Sequence, residues 1–432
     1  MGFRSFRERR VCKIQCRNMC LCAALASCML YATFSAYFQE TVISSGNNIE
    51  AEVVYHLPAI KNESMDTRLR RISEVCARTG AMTLISTAPF DITKRMFLNR
   101  TGICTCIVPK AASTNVKRLL LSFEYPEKAE LFRKMPGNMI HAANFDEGTT
   151  CSDRISFSFL ISRDPYQRLW SAYVDKVFLE KFDSLAIMLD TVFVRNVKKS
   201  SLQMNGMSHS LVAHARTNGF FCNVGHASFE HFLMYVTKTT SLDPHVLPVS
   251  LMCDPCKHPV NYVFQQENLQ NDVKYLYKYV KTIFKNQTDV QISLSDYVGE
   301  NGIENLVQTY QHAWKARLSQ NQCKVDSATY DSIWKRLWEG LKYLGIIDEK
   351  LPFMPELFRG RGTILKSPEK IVRDFKLEDN AVVVLSADDW MKQRHKFIVN
   401  AYKGVRKSVL NRIRELFQLD FEMFGYSTEP PR

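Results

Sequence analysis

Several common signatures are missing from this chain of 432 residues, and each absence argues against a class of function. No GxxxxGKS/T run occurs, which argues against an ordinary ATP-binding loop. No basic run carries interleaved aromatics, so nucleic acid is not the partner that the net charge of +13 suits. Cys253-Asp254-Pro255-Cys256 has no second CxxC, and a disulfide, local or long-range, is preferred there to zinc. No internal repeat is found. Charge itself is absent from Asn18 to Phe38, a mostly apolar run long enough to cross a bilayer as one helix.

What flanks that run is asymmetric. Arg4, Arg7, Arg9, Arg10, Lys13 and Arg17 precede it against a single acid, Glu8, and the next lysine is Lys61. The positive-inside rule then keeps a tail of residues 1–17 cytosolic and sends everything after the anchor, 18–38, to the lumen. A cleaved signal peptide is the competing reading, but its apolar region is shorter, roughly 7–15 residues, and ends in a small-residue cleavage site. Three N-glycosylation triplets agree with a lumenal side, at Asn62, Asn99 and Asn286. Of the 13 cysteines, eight follow the anchor, an even number compatible with disulfides in an oxidising compartment.

Residues 39–98 read as a polar, irregular stem, and the catalytic domain is expected from 99 to 432. Ile103 to Val108 forms an apolar run stopped by Pro109; Val116, Leu119, Leu120 and Phe123 then recur at helical spacing, with Ser113 or Thr114 as N-cap. Ile155 to Ile161 is a second strand, and Leu169, Ala172, Tyr173 and Val177 mark the helix after it. Tyr262 to Phe264 is a third, with Glu267 at its end. Strand–loop–helix repeated in this way predicts an α/β fold, a parallel sheet flanked by helices. Residues of about 290–395 read as a helical insertion, in which Ile333, Trp334, Leu337, Leu341 and Leu344 make a core-facing stripe. One last helix is expected from about Arg394 to Leu419.

Chemistry concentrates at the two strand-to-helix corners. The first is Pro109-Lys110-Ala111-Ala112-Ser113-Thr114-Asn115; the second runs Arg163-Asp164-Pro165-Tyr166-Gln167-Arg168-Leu169-Trp170-Ser171. A helix N-terminus offers unpaired N–H groups to an anion, and Lys or Arg adds full charge. Two such corners can hold a ligand with phosphate-like groups at both ends. At the second, Arg163 brings a fork for two phosphate oxygens, while Asp164 as N-cap and Pro165 as first helical residue serve the helix start.

In this order, the corners resemble the 5′-phosphosulfate loop and the 3′-phosphate motif of Golgi carbohydrate sulfotransferases. The resemblance is to the branch with the chondroitin, dermatan and N-acetylgalactosamine 4-O-sulfotransferases and the HNK-1 sulfotransferase. Cys104-Thr105-Cys106, Asp243-Pro244-His245-Val246-Leu247-Pro248 with its CxxC, and the terminal Asp420-Phe421-Glu422-Met423-Phe424-Gly425-Tyr426 resemble that branch too. The resemblance implies a P-loop-like sulfotransferase fold and a type II Golgi membrane enzyme. It implies 3′-phosphoadenosine 5′-phosphosulfate (PAPS) as donor, without metal, and a glycan or proteoglycan hydroxyl as acceptor. It assigns Pro109, Lys110, Ala111, Ala112, Ser113, Thr114 and Asn115 to the phosphosulfate. Arg163 and Ser171 go to the 3′-phosphate, with Asp164, Pro165 and Arg168 around them.

A sugar hydroxyl needs a base to take its proton during attack. His141 is the first choice, where related enzymes also place a histidine; His245 is second and Glu267 third. The 4-OH of N-acetylgalactosamine is the preferred acceptor, with glucuronic acid 3-O open. The chain departs from the family pattern at Ser162, Trp170 and Val246 and in the insertion, which is expected to cover or reshape the acceptor groove. A glycan-binding pseudoenzyme is therefore the second reading. A lumenal kinase-like phosphotransferase is the third, weakened by the lack of an acidic pair for Mg²⁺ near the first corner.

Overall fold

Three apolar runs become parallel strands that end at one edge. In the computed structural model these are β2 (Ile103–Cys106), β3 (Phe157–Ser162) and β4 (Tyr262–Gln265), after a first strand β1 (Arg95–Leu98). The sheet order is β1-β2-β3-β4. β1 pairs antiparallel with β2, whereas β2–β3 and β3–β4 are parallel, with Cys106 opposite Leu160 and Ser162 opposite Gln265. The structure describes residues 63–79, 95–135, 137–142, 155–179, 183–194, 227–239, 243–284, 306–307, 310–311, 314, 327–358 and 387–432. All belong to one unit, Tyr55–Arg432.

Every residue of β3 is buried, as a parallel strand covered on both faces must be. Its two serines are satisfied: the Ser158 hydroxyl donates to Asn261 Oδ1 at 2.8 Å and the Ser162 hydroxyl to the Phe264 carbonyl at 3.3 Å. Phe157 and Phe159 stack across to Tyr262 and Phe264, with ring centroids 4.4 and 4.8 Å apart.

Part of the expected stem is folded. Helix α1 (Met65–Thr79) buries Met65, Ile72 and Val75. Its Arg68 is buried too, and Nη1 donates to Asp272 Oδ2 at 2.6 Å and to the Val263 carbonyl at 2.9 Å. Disulfide Cys76–Cys256 ties this helix to the CxxC, whose other cysteine pairs with Cys106. Both links are long-range, so the CxxC is neither a local bridge nor a zinc pair. β1 lies in the stretch expected as stem; its first residue, Arg95, is buried and donates to the Cys253 carbonyl at 2.6 Å. The expected membrane span, 18–38, lies outside the described residues, among which no helix is long and apolar enough to cross a membrane. Asn99 is exposed at the β1–β2 turn; Asn62 and Asn286 lie outside the described residues.

Helix α2 (Ser113–Glu124) follows β2, α3 (Gly137–Ala142) carries His141, and α4 (Pro165–Ala172) follows β3, continuing as a π-helical turn, Tyr173–Phe178. A second core surrounds that turn. It takes α5 (Phe229–Val236) and, from the insertion, α7 (Ser327–Tyr343), α6 being Leu269–Ile283. Ile333, Trp334, Leu337 and Leu341 are buried there as expected. The described part of the insertion is thus core: Arg336 donates to the Phe178 carbonyl at 3.4 Å, and Trp170 meets Phe229 and Tyr343 at 5.1 and 5.6 Å. Trp170 departs from the family pattern where the insertion supplies its neighbour. The single C-terminal helix proves to be three, α8 (Ala387–Lys403), α9 (Lys407–Leu416) and α10 (Gln418–Phe424). The first break falls after Gly404, where Arg406 leaves helical geometry and its Nε meets Glu230 Oε1 at 2.5 Å.

The Arg68–Asp272 pair tests the docking of α1. Arg68→Ala strands a buried carboxylate and is expected to cost about 3–5 kcal/mol in chemical denaturation. Exposed Arg70→Ala on the same helix should stay within about 0.5 kcal/mol. Equal effects would mean that α1 is not part of the fold.

Candidate functional site

The first corner is a strained turn. Lys110 and Ala112 both lie in the left-handed region, at φ 66° and 58°, without being glycine. Such residues cost of order 1–3 kcal/mol each and persist where the surroundings hold them. Ala112 is the N-cap of α2, in place of the expected Ser113 or Thr114, and no side chain caps the helix. Ser113, Thr114 and Asn115 form its first turn, which contains no acid. The N–H groups of that turn are thus left for an outside anion. Ala111 is buried, and its amide bonds the Val108 carbonyl at 3.2 Å, so its part is to shape the turn.

The second corner holds the first in place. Arg163, 3 % exposed, donates from Nη1 to the Lys110 carbonyl at 2.6 Å. Arg168, 1 % exposed, donates to three carbonyls: Pro109 at 3.0 Å, Leu247 at 2.6 Å and Pro244 at 2.9 Å. Burial lowers both guanidinium pKa values, that of Arg168 to about 10. Arg168 therefore buckles three loops together rather than facing an anion. Asp164 and Pro165 likewise serve the helix: Asp164 caps α4 by accepting the Gln167 amide at 2.9 Å, with Pro165 at its start. Burial, then the nearby Glu267, raises the Asp164 carboxyl to about 7. Ser171 is buried two turns along from Arg163.

A family model described as the Sulfotransferase family matches residues 95–339, more than half of the chain. The chain belongs to the sulfotransferase family. Among curated relatives, carbohydrate sulfotransferase 10 of Danio rerio is 25% identical over 241 residues, 49% of this chain and 60% of that one. Carbohydrate sulfotransferase 9 of Homo sapiens is 25% identical over 222 residues, covering 49% and 47%. Carbohydrate sulfotransferase 11 of Mus musculus is 25% identical over 235 residues, covering 50% and 62%. The chain thus spans about half to three-fifths of the relatives it matches. No solved structure matches.

Lys110 is not a lone cation. Its Nζ donates to Asp175 Oδ2 at 2.9 Å, and Lys176 Nζ lies 3.3 Å from the same oxygen. Asp175 and Lys176 sit on the π-helical turn, and π-turns recur at functional sites. Neither carries a sequence signal, since an Asp-Lys pair on a helix looks like an ordinary solvated face. Among the described residues, no group of three or more His, Cys, Asp or Glu is placed to hold a metal.

Two candidate bases converge here. His141 Nε2 lies 2.9 Å from the Thr114 hydroxyl. The residue is exposed at the surface, yet desolvation of its ring lowers the pKa to about 4, helped by the positive charges of Lys117, Lys176, His245 and Lys110. His245 Nδ1 lies 2.6 Å from Asp243 Oδ1, which leaves Nε2 with the lone pair. Its pKa is also lowered, burial outweighing the pull of Asp243. Both rings are neutral at pH 7. The third candidate, Glu267, is buried and accepts the Asp164 amide at 2.9 Å and the Tyr426 hydroxyl at 3.0 Å, so it buttresses the corner and is no base.

The His141 environment has a pH signature. Its folded pKa lies below the ordinary 6.5, so the neutral ring's contribution to stability is fully present above pH 6.5 and lost as pH falls through about 4. NMR titration should find the ring half-protonated near pH 4, and Lys176→Met, which removes a repelling cation, should move that midpoint up. An ordinary midpoint, unmoved by Lys176→Met, would mean that the cations do not crowd this ring.

Proposed function

We propose that this chain is a carbohydrate sulfotransferase that moves a sulfuryl group from PAPS to a glycan hydroxyl. One observation carries the reading: the two anion-binding corners leave neighbouring parallel strands at the same edge, and Arg163 of one is bonded to the Lys110 carbonyl of the other. The printed names of the relatives, carbohydrate sulfotransferases all, support the same class. The residues suit the donor. An uncapped helix start with Lys110 fits the phosphosulfate end, and Arg163 with Ser171 fits a 3′-phosphate.

In the transfer, the acceptor oxygen attacks sulfur and the bond from sulfur to the bridging phosphate oxygen breaks. The products are a sulfate ester and adenosine 3′,5′-bisphosphate. Lys110 and the first-turn amides of α2 stabilise the charge that gathers on the leaving oxygen. His141 takes the acceptor proton. Its hydrogen bond to Thr114, on the corner assigned to the phosphosulfate, supports this role, and its neutrality lets it accept. His245, oriented by Asp243, is the second imidazole within electrostatic reach.

The acceptor we favour is the 4-OH of N-acetylgalactosamine in chondroitin, dermatan or a related glycan. The charge asymmetry around residues 18–38 supports a single-pass type II membrane protein with a lumenal catalytic domain; the resemblance implies the Golgi membrane, and the sequons make Asn62, Asn99 and Asn286 the glycosylation sites.

The test uses residues 40–432 secreted from a eukaryotic host, radiolabelled PAPS and desulfated chondroitin, dermatan, heparosan and N-linked glycans. Label should pass to one acceptor class. Lys110→Ala should lower kcat by roughly 10²–10³, and His141→Ala by about 10²–10⁴. Donor binding without transfer to any acceptor would favour the pseudoenzyme; failure to bind PAPS would refute the reading of both corners.

A further inference from the structure

A hydrogen-bonded chain lies beneath the second corner and joins it to the last residues of the protein. Helix α10 ends at Gly425, whose φ of 73° turns the backbone so that Tyr426 folds back, its amide bonding the Phe421 carbonyl at 3.1 Å. The Tyr426 hydroxyl donates to Glu267 Oε2 at 3.0 Å. The other oxygen, Glu267 Oε1, accepts the Asp164 amide at 2.9 Å. The single phenolic proton is used on Glu267, so the Ser162 hydroxyl is shared between the Phe264 carbonyl at 3.3 Å and the Tyr426 oxygen at 3.1 Å. Ser162 is fully buried, and Glu267 and Arg163 are 8 % and 3 % exposed.

Packing does not require this arrangement. A phenylalanine would fill the space beside β3 equally well, and an apolar residue at 162 would need no partner. Instead three buried polar groups are brought together, and burying a carboxylate is costly unless each oxygen is bonded. Both Glu267 oxygens are bonded, one to the peptide between Arg163 and Asp164 and one to the C-terminal tyrosine. The peptide carrying Arg163 is thereby fixed from below, while its guanidinium is fixed from above by the Lys110 carbonyl. Of the nearby carboxylates, Glu267 does most to favour the charged form of Arg163 against its burial.

We propose that Tyr426 is a positioning residue for the 3′-phosphate end of the donor site. It acts through Glu267 on the Arg163–Asp164 peptide, with Ser162 steering its hydroxyl. The proposal rests on the donor reading given above. It assigns a task in binding to the C-terminal Gly425-Tyr426, more than 250 residues from the corner it serves. It also gives Ser162, a departure from the family pattern, a physical partner.

The experiment is calorimetric titration of the secreted 40–432 protein with adenosine 3′,5′-bisphosphate and with adenosine 5′-monophosphate, for wild type, Tyr426→Phe and Ser162→Ala. Tyr166→Phe serves as control. It loosens the same C-terminal segment by removing the 2.6 Å bond to the Thr428 carbonyl but leaves Glu267 untouched. The wild type should prefer the bisphosphate. Tyr426→Phe should reduce that preference about tenfold, the equivalent of one hydrogen bond, with 5′-monophosphate affinity retained. Ser162→Ala should reduce it by less, and Tyr166→Phe not at all. If Tyr426→Phe keeps the full preference, or weakens both nucleotides equally, Tyr426 is merely structural and the proposal fails. A wild type with no preference would overturn the donor reading itself.

Discussion

The site depends on two buried guanidiniums that pull the carbonyls of a neighbouring turn inward. Arg163 takes the Lys110 carbonyl, and Arg168 takes those of Pro109, Pro244 and Leu247. With its carbonyls drawn in, the turn can hold two left-handed residues without glycine and leave the amides of the next helix uncapped. Hydrogen bonds from charged donors contribute about 1.5–3 kcal/mol each. The two that reach this turn, at Pro109 and Lys110, oppose the strain at Lys110 and Ala112, and all four offset part of the desolvation of the guanidiniums. A P-loop meets the same need with glycine; here two arginines from the next strand-to-helix corner do so.

The same arrangement sets the electrostatics. Lys110, Lys117, Lys176 and His245 all lie within electrostatic reach of His141, and Asp175 is bonded to both Lys110 and Lys176. Desolvation, aided by the crowding of positive charge, keeps both imidazoles neutral, and the same charge makes the corner receptive to an anion. A bound dianion would reverse that balance and raise the His141 pKa, so occupation of the site makes the ring a stronger base at the moment it is needed.

Much of this was legible in the sequence. Two apolar runs that each end in a basic residue before helical spacing could only be strand–turn–helix corners, and Tyr262 to Phe264 was a strand by the same reasoning. Three things were hidden. Arg95 and Arg68 lie in the expected stem, and a buried arginine is recognised only by the carbonyl or carboxylate that receives it, which here lies far away in sequence. The N-cap fell on Ala112, against residue preference, because tertiary bonds from Arg163 and Arg168 outweigh a side-chain cap. Asp175 carries no motif, and its meaning comes from a π-turn that aims it at Lys110. Of the expected anion ligands, Lys110, Ser113, Thr114, Asn115, Arg163 and Ser171 stay as candidates, while Asp164, Pro165 and Arg168 prove to be the frame.

The measurement that bears most directly on the account is a crystal structure of the protein with adenosine 3′,5′-bisphosphate. It should show the 5′-phosphate against the first-turn amides of α2 beside Lys110, and the 3′-phosphate against Arg163 and Ser171, with Arg168 unmoved on its three carbonyls. A nucleotide bound away from these corners, or one phosphate held by Arg168 with its carbonyls released, would contradict the account.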